Sequence, residues 1–185
     1  MIEMTIETMG VNPDNYREVV LLKEQAGKRY LPIWIGAAEA NAIVVKLQGA
    51  DIHRPLGLDL LFSVIGSLKA SVDSVVINGL RGDTFQARIL LNTSKGRAEV
   101  DSRPSDALAL AIRAEVPIFV EDAVLDKGGV LIDKKTRRVL PQQPSEGKSV
   151  SEDELRRLSA FADFIDTLDT DKLGEEKKGN EDIDQ

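Results

Sequence analysis

The densest group of reactive side chains lies in Asp101-Ser102-Arg103-Pro104-Ser105-Asp106, where the sequence predicts a junction between a strand and a helix. Such a junction exposes side chains at a sheet edge and points free backbone N–H groups outward, where phosphate can bind. Arg103 can hold a phosphate through two nitrogens, while Asp101 and Asp106 can offer oxygen ligands to a divalent metal. The simpler interpretation is structural: Pro104 begins the helix, Asp106 complements the helix dipole and Arg103 pairs with Asp101.

A second acid, Glu39, opens an earlier predicted helix just after Gly36. If the chain contains a repeat, Glu39 and Asp106 occupy equivalent positions, and the two helix starts could face one cleft. The alternative is again a first-turn acid that balances a helix dipole.

A third candidate group is His53, Arg54 and Asp59, which lie within seven residues at the entrance to another predicted helix. Acid–base chemistry, phosphate binding and metal binding could all be combined there. Equally, Asp59 can serve only as a helix cap or first-turn acid, with His53 in a solvated loop.

A cluster of cations occupies positions 134–138 of an otherwise balanced region: Lys134, Lys135, Arg137 and Arg138. Such a patch could contact a nucleic-acid backbone electrostatically, without reading base sequence. A solvated turn explains it as well. The chain has no P-loop, no dinucleotide-binding fingerprint and no Gly-x-Ser-x-Gly elbow.

These side chains must be positioned by a set of elements that occurs twice. Strands are predicted at 2–8, 17–23 and 30–35, followed by a helix at 37–49. The same order recurs about 67 positions later, with strands at 72–80, 85–91 and 96–100 and a helix at 104–115. The sequence therefore predicts an α+β fold in which duplicated β-β-β-α units form a compact mixed-sheet domain.

Further elements are predicted between and after the repeats. A helix over 59–70 is apolar enough to be buried on most of its circumference. Residues 117–120 form a short strand, and 123–132 are predicted to form a hairpin.

Composition and charge narrow the class of protein. The 185 residues contain no Cys and one His, which excludes a disulfide scaffold and Cys-based zinc or iron–sulfur sites. There is no apolar stretch near the roughly 20 residues of a membrane helix, so we expect a cytoplasmic protein without a membrane partner. Between 146 and 185 lie 13 acidic and six basic residues, so this segment carries the whole net charge of -7. The preceding residues are neutral overall.

The chain is thus predicted to have four parts: a domain at 1–142, a linker at 143–150, an amphipathic helix at 151–168 and an acidic, disordered tail at 169–185. Residues 151–154 match a capping box in front of an apolar stripe that must dock on the core or on another chain. The stripe consists of Leu155, Leu158, Ala162, Ile165 and Leu168.

Several motifs in their order resemble the bifunctional nuclease family. They are the segments 31–36 (Leu-Pro-Ile-Trp-Ile-Gly), 39–40 (Glu-Ala), 54–55 (Arg-Pro) with 59–61 (Asp-Leu-Leu), 101–111 (Asp-Ser-Arg-Pro-Ser-Asp-Ala-Leu-Ala-Leu-Ala) and 117–120 (Pro-Ile-Phe-Val). The resemblance covers roughly residues 1–140, and the Arg-Pro-Ser-Asp-Ala string is its most specific part.

The resemblance implies a compact α+β fold built by duplication, commonly dimeric, with activity on both DNA and RNA. One departure is that the family usually has Thr-His before the Asp of the Arg-Pro segment, whereas this chain has Gly57-Leu58. If that His were the general base, it is missing here, and His53 is an unproven substitute.

Two hypotheses about function follow. The first is a nuclease that cuts DNA and RNA with little sequence specificity and depends on Mg²⁺ or Mn²⁺. The metal ligands would be Glu39, Asp59, Asp101 and Asp106, the same acids with Arg103 would form the catalytic site, and Arg54, Arg103 and the four cations at 134–138 would bind substrate. The second is a non-enzymatic dimeric binding or regulatory module that holds a protein partner through 151–168.

Overall fold

The computed structural model describes residues 1–11, 16–50, 54–132 and 139–140 of the chain. Within these residues, nine strands form one sheet and four helices accompany it. The strands are β1 (Ile2–Val11), β2 (Glu18–Glu24), β3 (Arg29–Ile35), β4 (Ser71–Arg81), β5 (Thr84–Thr93), β6 (Gly96–Ser102), β7 (Ile118–Val120), β8 (Val130–Ile132) and β9 (Val139–Leu140). The helices are α1 (Ala37–Leu47), α2 (Gly57–Ser67), α3 (Pro104–Ala114) and α4 (Asp122–Gly128).

The order of strands across the sheet shows the duplication directly. It reads β6-β5-β4-β7-β1-β2-β3-β8-β9, so two antiparallel three-stranded units lie on either side of β7. Each unit is followed by its helix, α1 after β3 and α3 after β6. Strand β7 pairs antiparallel with β1 and parallel with β4, which makes the sheet mixed. The predicted α+β fold of duplicated β-β-β-α units is confirmed, while its C-terminal helix and tail lie outside the described residues.

The core is built around α3. Residues 107–111 of this helix are at most 1% exposed, because small Ala side chains alternate with Leu108 and Leu110 and let the helix pack closely. The helix contacts α1, α2, β4 and β5. Full burial of each leucine contributes about 1.5–3 kcal/mol. The helix that carries Asp106 is therefore held rigidly from several sides.

The hairpin predicted at 123–132 is wrong. Residues 122–128 form α4 instead, and Val130–Ile132 pairs with β3 as β8. The pattern was misinterpreted because Val124 and Leu125 are adjacent, which fits a strand as well as a helix. Both side chains are buried in the core that surrounds α3. Asp122 in the first turn and Lys127 in the last turn complement the dipole of α4.

The prediction that the helix at 59–70 is buried on most of its circumference is also wrong. None of the residues of α2 is buried, although Leu58 and Ile65 pack against the core. Leu60 is 59% exposed, and Leu61, Phe62 and Val64 are exposed by 41%, 40% and 44%. An apolar composition shows that a helix needs a covering surface, but not where that surface is. Among the described helices, none combines the length and hydropathy needed to cross a bilayer.

Candidate functional site

The centre of the site is the side chain of Arg103, which joins the two repeats. Its Nε and Nη2 donate to the two carboxylate oxygens of Asp106 at 2.6 and 2.9 Å. Its Nη1 lies 2.8 Å from Oε1 of Glu39. The first-turn acids of α1 and α3 are thus brought together on one guanidinium. We call these three residues the Arg103 cluster.

Local structure explains the position of Arg103 at the start of α3. Strand β6 ends at Ser102, and Arg103 is the extended N-cap residue before Pro104, which begins α3. Because proline needs no N–H partner, it suits this first helical position. The structural alternative that paired Arg103 with Asp101 is wrong, since the nearer acids of the two helix starts take its donors.

The position of Glu39 depends on Gly36. A Cβ atom added at Gly36 would collide with the carboxylate of Glu39. Glycine at the N-cap of α1 therefore leaves room for Glu39 to turn toward Arg103.

Exposure and charge decide what the Arg103 cluster can do. The Arg103 side chain is 65% exposed, against 21% for Glu39 and 31% for Asp106. Hydrogen bonds from Arg103 to Asp106 and then to Glu39 raise the pKa of Arg103, so it is a permanent cation. An exposed ion pair of this kind contributes only about 0–1 kcal/mol to stability. The arginine can therefore exchange one carboxylate for another anion at low cost.

Arg103 and Asp106 of this cluster line a cleft of about 610 Å³. Its polar wall consists of Asp101, Ser102, Arg103 and Asp106. The other wall is largely apolar and comes from α2, β5 and β6: Leu58, Leu61, Phe85, Gln86, Ile89 and Val100. The apolar wall was missed from the sequence, because Phe85 and Leu61 belong to different elements and only the fold places them together.

Asp101 has a different role from its neighbours. Its side chain is exposed in the cleft, and it has no hydrogen-bond or ion-pair partner among residues 1–11, 16–50 and 54–132. A carboxylate without such a partner can accept a proton from a bound molecule.

Asp59 belongs to a separate ion pair. Its Oδ1 lies 2.6 Å from Nε of Arg113, and its Oδ2 accepts from the N–H of Leu56 at 2.8 Å. Burial opposes ionisation of Asp59, but hydrogen bonds from Arg113 and Leu56 outweigh it and lower the pKa of Asp59. Asp106 and Arg113 are seven residues apart on α3, about 10 Å along the helix axis.

Arg113 was not identified from the sequence as a functional residue. Its side chain is 3% exposed and donates to the carbonyl oxygens of Ala109 at 2.9 Å and Ala42 at 3.2 Å. With Asp59 it ties α1, α2 and α3 together. The sequence signal that could have identified Arg113 is a single basic residue in an otherwise largely apolar helix. Asp59 therefore fixes α2, which forms part of the apolar wall of the cleft.

The four predicted metal ligands do not converge. The part of the chain that the structure describes has no group of three or more His, Cys, Asp or Glu side chains placed to hold a metal ion. Asp59 is engaged by Arg113, and Glu39 and Asp106 share Arg103. This arrangement does not fit a four-carboxylate metal site, and a requirement for Mg²⁺ or Mn²⁺ stays a prediction.

The remaining predicted substrate-binding residues lie elsewhere. Arg54 is exposed just before α2. His53 and the cations Lys134, Lys135, Arg137 and Arg138 lie outside the described residues, as do the predicted linker, helix and tail at 143–185.

Comparison with known proteins places the chain in a family. Residues 20–133 match the profile of the bifunctional nuclease domain. Uncharacterized proteins from two strains of Mycobacterium tuberculosis are 38% identical over 167 residues, which is 89% of this chain and 95% of theirs. A protein of Oryza sativa subsp. japonica named Bifunctional nuclease 2 is 25% identical over 132 residues, 70% of this chain and 41% of its own length. The chain therefore belongs to the bifunctional nuclease domain family.

Proposed function

We propose that the protein is a cytoplasmic nuclease that hydrolyses phosphodiester bonds of DNA and RNA with little sequence specificity. The observation that carries the proposal is the Arg103 cluster, an exposed arginine between two carboxylates at the mouth of a cleft. Membership of the bifunctional nuclease domain family and the name of the rice relative, Bifunctional nuclease 2, support the same activity.

In this proposal, Arg103 binds the phosphate to be cut. A guanidinium has five donors in a planar fork, and it matches phosphate oxygens in two-point contacts. A phosphate that replaces one carboxylate would keep Arg103 fully paired, while the other carboxylate holds the side chain in place. The negative charge that develops on the phosphate oxygens is then stabilised by a cation that is already positioned.

Asp101 is the proposed general base. DNA lacks the 2′-hydroxyl that RNA can use as an internal nucleophile, so in this proposal water is the nucleophile for both polymers. The carboxylate of Asp101 accepts a proton from that water, the water oxygen attacks phosphorus, and the ester oxygen leaves with a proton from solvent. Asp101 and Arg103 both line the cleft, as this division of work requires.

The apolar wall suggests which nucleic acids fit best. Phe85 and Leu61 offer a surface on which an unpaired base can pack, and such packing tolerates any base. Bases inside a duplex are already stacked and paired. We therefore expect single strands to be better substrates than duplexes.

The test compares wild-type protein with a variant carrying both Arg103→Ala and Asp106→Ala. Single-stranded DNA and RNA are incubated with Mg²⁺, with Mn²⁺ and with EDTA. The proposal expects cleavage of both polymers by the wild type and its loss in the variant. Equal cleavage by the two preparations would remove the Arg103 cluster from the mechanism. The EDTA arm separately tests the predicted metal requirement.

The exposed apolar side of α2 favours a second candidate function, a dimeric binding or regulatory module without catalysis. Leu60 and Val64, one turn apart on α2, form a surface that a second copy of the chain could cover. Light scattering on wild type and a Leu60→Glu variant checks the predicted homodimer. A dimer that Leu60→Glu dissociates, together with no cleavage of either polymer, would favour the module.

A further inference from the structure

The candidate site holds more negative than positive charge. Arg103 binds Glu39 and Asp106, and it is the single base among the described residues that line the cleft. Asp101 lines the same cleft. Three carboxylates therefore accompany one guanidinium, and the formal charges of these four side chains sum to -2. A phosphate that reaches Arg103 enters a site that is negative overall.

The carboxylates of the Arg103 cluster stay close to a phosphate that takes the place of one of them. Glu39 lies in the first turn of α1 and Asp106 in the first turn of α3. Residues 107–111 are at most 1% exposed, so the backbone that carries Asp106 is held firmly. A phosphate that shares the guanidinium with either acid has a carboxylate within roughly 5–6 Å, because one planar fork holds both. This separation is shorter than the Debye length of about 8 Å at physiological salt.

The two helix starts reduce the repulsion without cancelling it. Each helix N-terminus acts as about half a positive charge. Both α1 and α3 begin at the Arg103 cluster. Together they offset about one of the two excess negative charges. The surroundings of Arg103 therefore remain negative.

The phosphate groups of nucleic acids differ in charge. A phosphodiester inside a strand carries one negative charge, whereas a terminal phosphomonoester has a second acidic group and carries about -1.5 to -2 at pH 7. Both groups offer the oxygens that Arg103 can bind. The second charge of the monoester, however, meets three carboxylates and one cation. One unit of net repulsion at these separations changes affinity by roughly tenfold.

We propose that the carboxylates of the site select phosphodiesters over phosphomonoesters. The site then takes linkages inside a strand and rejects terminal phosphates. Such selection rests on the proposed nuclease function, whose substrate class it names. Glu39 and Asp106 both hold Arg103 in place and exclude doubly charged ligands.

The same charges favour release of the product. In hydrolysis the water oxygen forms a bond to phosphorus, the bond from phosphorus to the ester oxygen breaks, and the leaving oxygen takes up a proton. The new terminal phosphate then loses its second proton to solvent. The product therefore carries one more negative charge than the linkage it came from, and the carboxylates repel it. We expect the cut strand to be a poor inhibitor.

The test compares thymidine 3′-methylphosphate, a diester, with thymidine 3′-phosphate, a monoester, because the two ligands differ by one methyl group. Each ligand competes with a fluorescently labelled single-stranded DNA for the full chain at pH 8 in EDTA, and fluorescence anisotropy gives its inhibition constant. The diester should compete better by roughly tenfold or more. Equal competition, better competition by the monoester, or no competition by the diester would overturn the proposal.

Two variants of equal shape test whether charge is the cause. Glu39→Gln removes one negative charge and keeps an oxygen that can accept from Arg103, so the ratio of the two inhibition constants should fall severalfold. Glu115→Gln removes the same charge at the C-cap of α3, about 14 Å from Asp106 along the helix axis, and should keep the wild-type ratio. An unchanged ratio in Glu39→Gln would overturn the assignment.

The result for the proposed function is obtained separately, from cleavage of single-stranded DNA with Mg²⁺ or Mn²⁺. Preference for the diester without any cleavage would contradict the nuclease function and still support the selection. Cleavage together with equal binding of the two ligands would overturn the selection alone. A labelled strand that does not bind at all would contradict both.

Discussion

Two arginines of this protein bind their carboxylates in the same pattern. Arg29 donates from Nε and Nη2 to Glu24 at 3.1 and 2.9 Å and from Nη1 to Asp126 at 3.1 Å. Arg103 uses the same three nitrogens for Asp106 and Glu39. Each arginine therefore joins a local acid to a distant one. We call Arg29, Glu24 and Asp126 the Arg29 cluster.

The two clusters differ in their surroundings. The Arg29 side chain is 26% exposed and Glu24 15%, whereas Arg103 is 65% exposed. The Arg29 cluster closes the turn between β2 and β3 onto α4, and the Arg103 cluster faces the cleft. In the Arg29 cluster, where the arginine and Glu24 are partly buried, these contacts stabilise the fold. Where they are exposed beside an apolar wall, they can exchange for a ligand.

The largest expected effect is on catalysis at Asp101. Loss of a general base typically costs about 10²–10⁴-fold in rate, so Asp101→Asn should lower cleavage of single-stranded DNA by at least about 100-fold. Asp126→Asn makes the same change in the Arg29 cluster and should leave the rate unchanged. If Asp101→Asn cleaves as fast as Asp126→Asn, Asp101 is not the base.

A smaller effect is expected from two glycines, one beside the glutamate of each cluster. A Cβ at Gly36 would displace the Glu39 carboxylate, and a Cβ at Gly27 would displace that of Glu24. Misplacement of a positioning group costs up to about 100-fold, so we expect Gly36→Ala to lower cleavage by roughly tenfold. Gly27→Ala should lower thermal stability and leave cleavage intact. Unchanged cleavage in Gly36→Ala would show that Glu39 does not need to hold Arg103.

The comparison also predicts that the two arginines contribute unequally to stability. Arg29→Ala leaves the partly buried Glu24 carboxylate without its partner and should lower the free energy of unfolding by about 1–2 kcal/mol. Arg103→Ala removes an exposed pair and should cost less than about 1 kcal/mol. Urea unfolding of the two variants measures both values. A larger loss of unfolding free energy for Arg103→Ala than for Arg29→Ala would mean that the Arg103 cluster mainly stabilises the fold.

The smallest effect concerns acid sensitivity. The hydrogen bond from Arg29 lowers the pKa of Glu24, against the opposing effect of burial. A lowered folded-state pKa gives stability that is present above the ordinary glutamate pKa of about 4.3 and is lost as pH falls through the folded value. Glu24→Gln should therefore flatten the loss of stability below about pH 5. An unchanged slope in Glu24→Gln would contradict this assignment.

Much of the fold could be predicted from sequence because its signals are local. Alternation in β1 and β5, turn residues at Arg81-Gly82-Asp83 and the apolar Ala-Leu pattern of α3 all depend on near neighbours. The errors at α2 and α4 have a different cause. Exposure of α2 and the helical state of Val124 and Leu125 are decided by what packs on them, which short-range pattern does not contain.

The contacts of the candidate site also divide into local ones, which the sequence indicates, and long-range ones, which it does not. The contact of Arg103 with Asp106 spans three residues and follows from a helix start, so the sequence marked both residues. Contacts of Arg103 with Glu39, of Arg113 with Asp59 and of Arg29 with Asp126 join distant parts of the chain. Only the fold shows that Asp59 belongs to Arg113. For that reason the sequence could not show that the four predicted metal ligands do not form one group among the described residues.

The most direct test of the central claim is single-turnover cleavage of one single-stranded DNA by two matched variants, Arg103→Ala and Arg29→Ala. Both changes remove an arginine from the same three-point pattern, so they differ only in where the pattern lies. The account predicts that Arg103→Ala lowers the rate by about 10²–10³-fold, as for loss of a donor to a developing negative charge. Arg29→Ala should cleave at the wild-type rate. Equal rates for the two folded variants would contradict the claim that the Arg103 cluster is the active site.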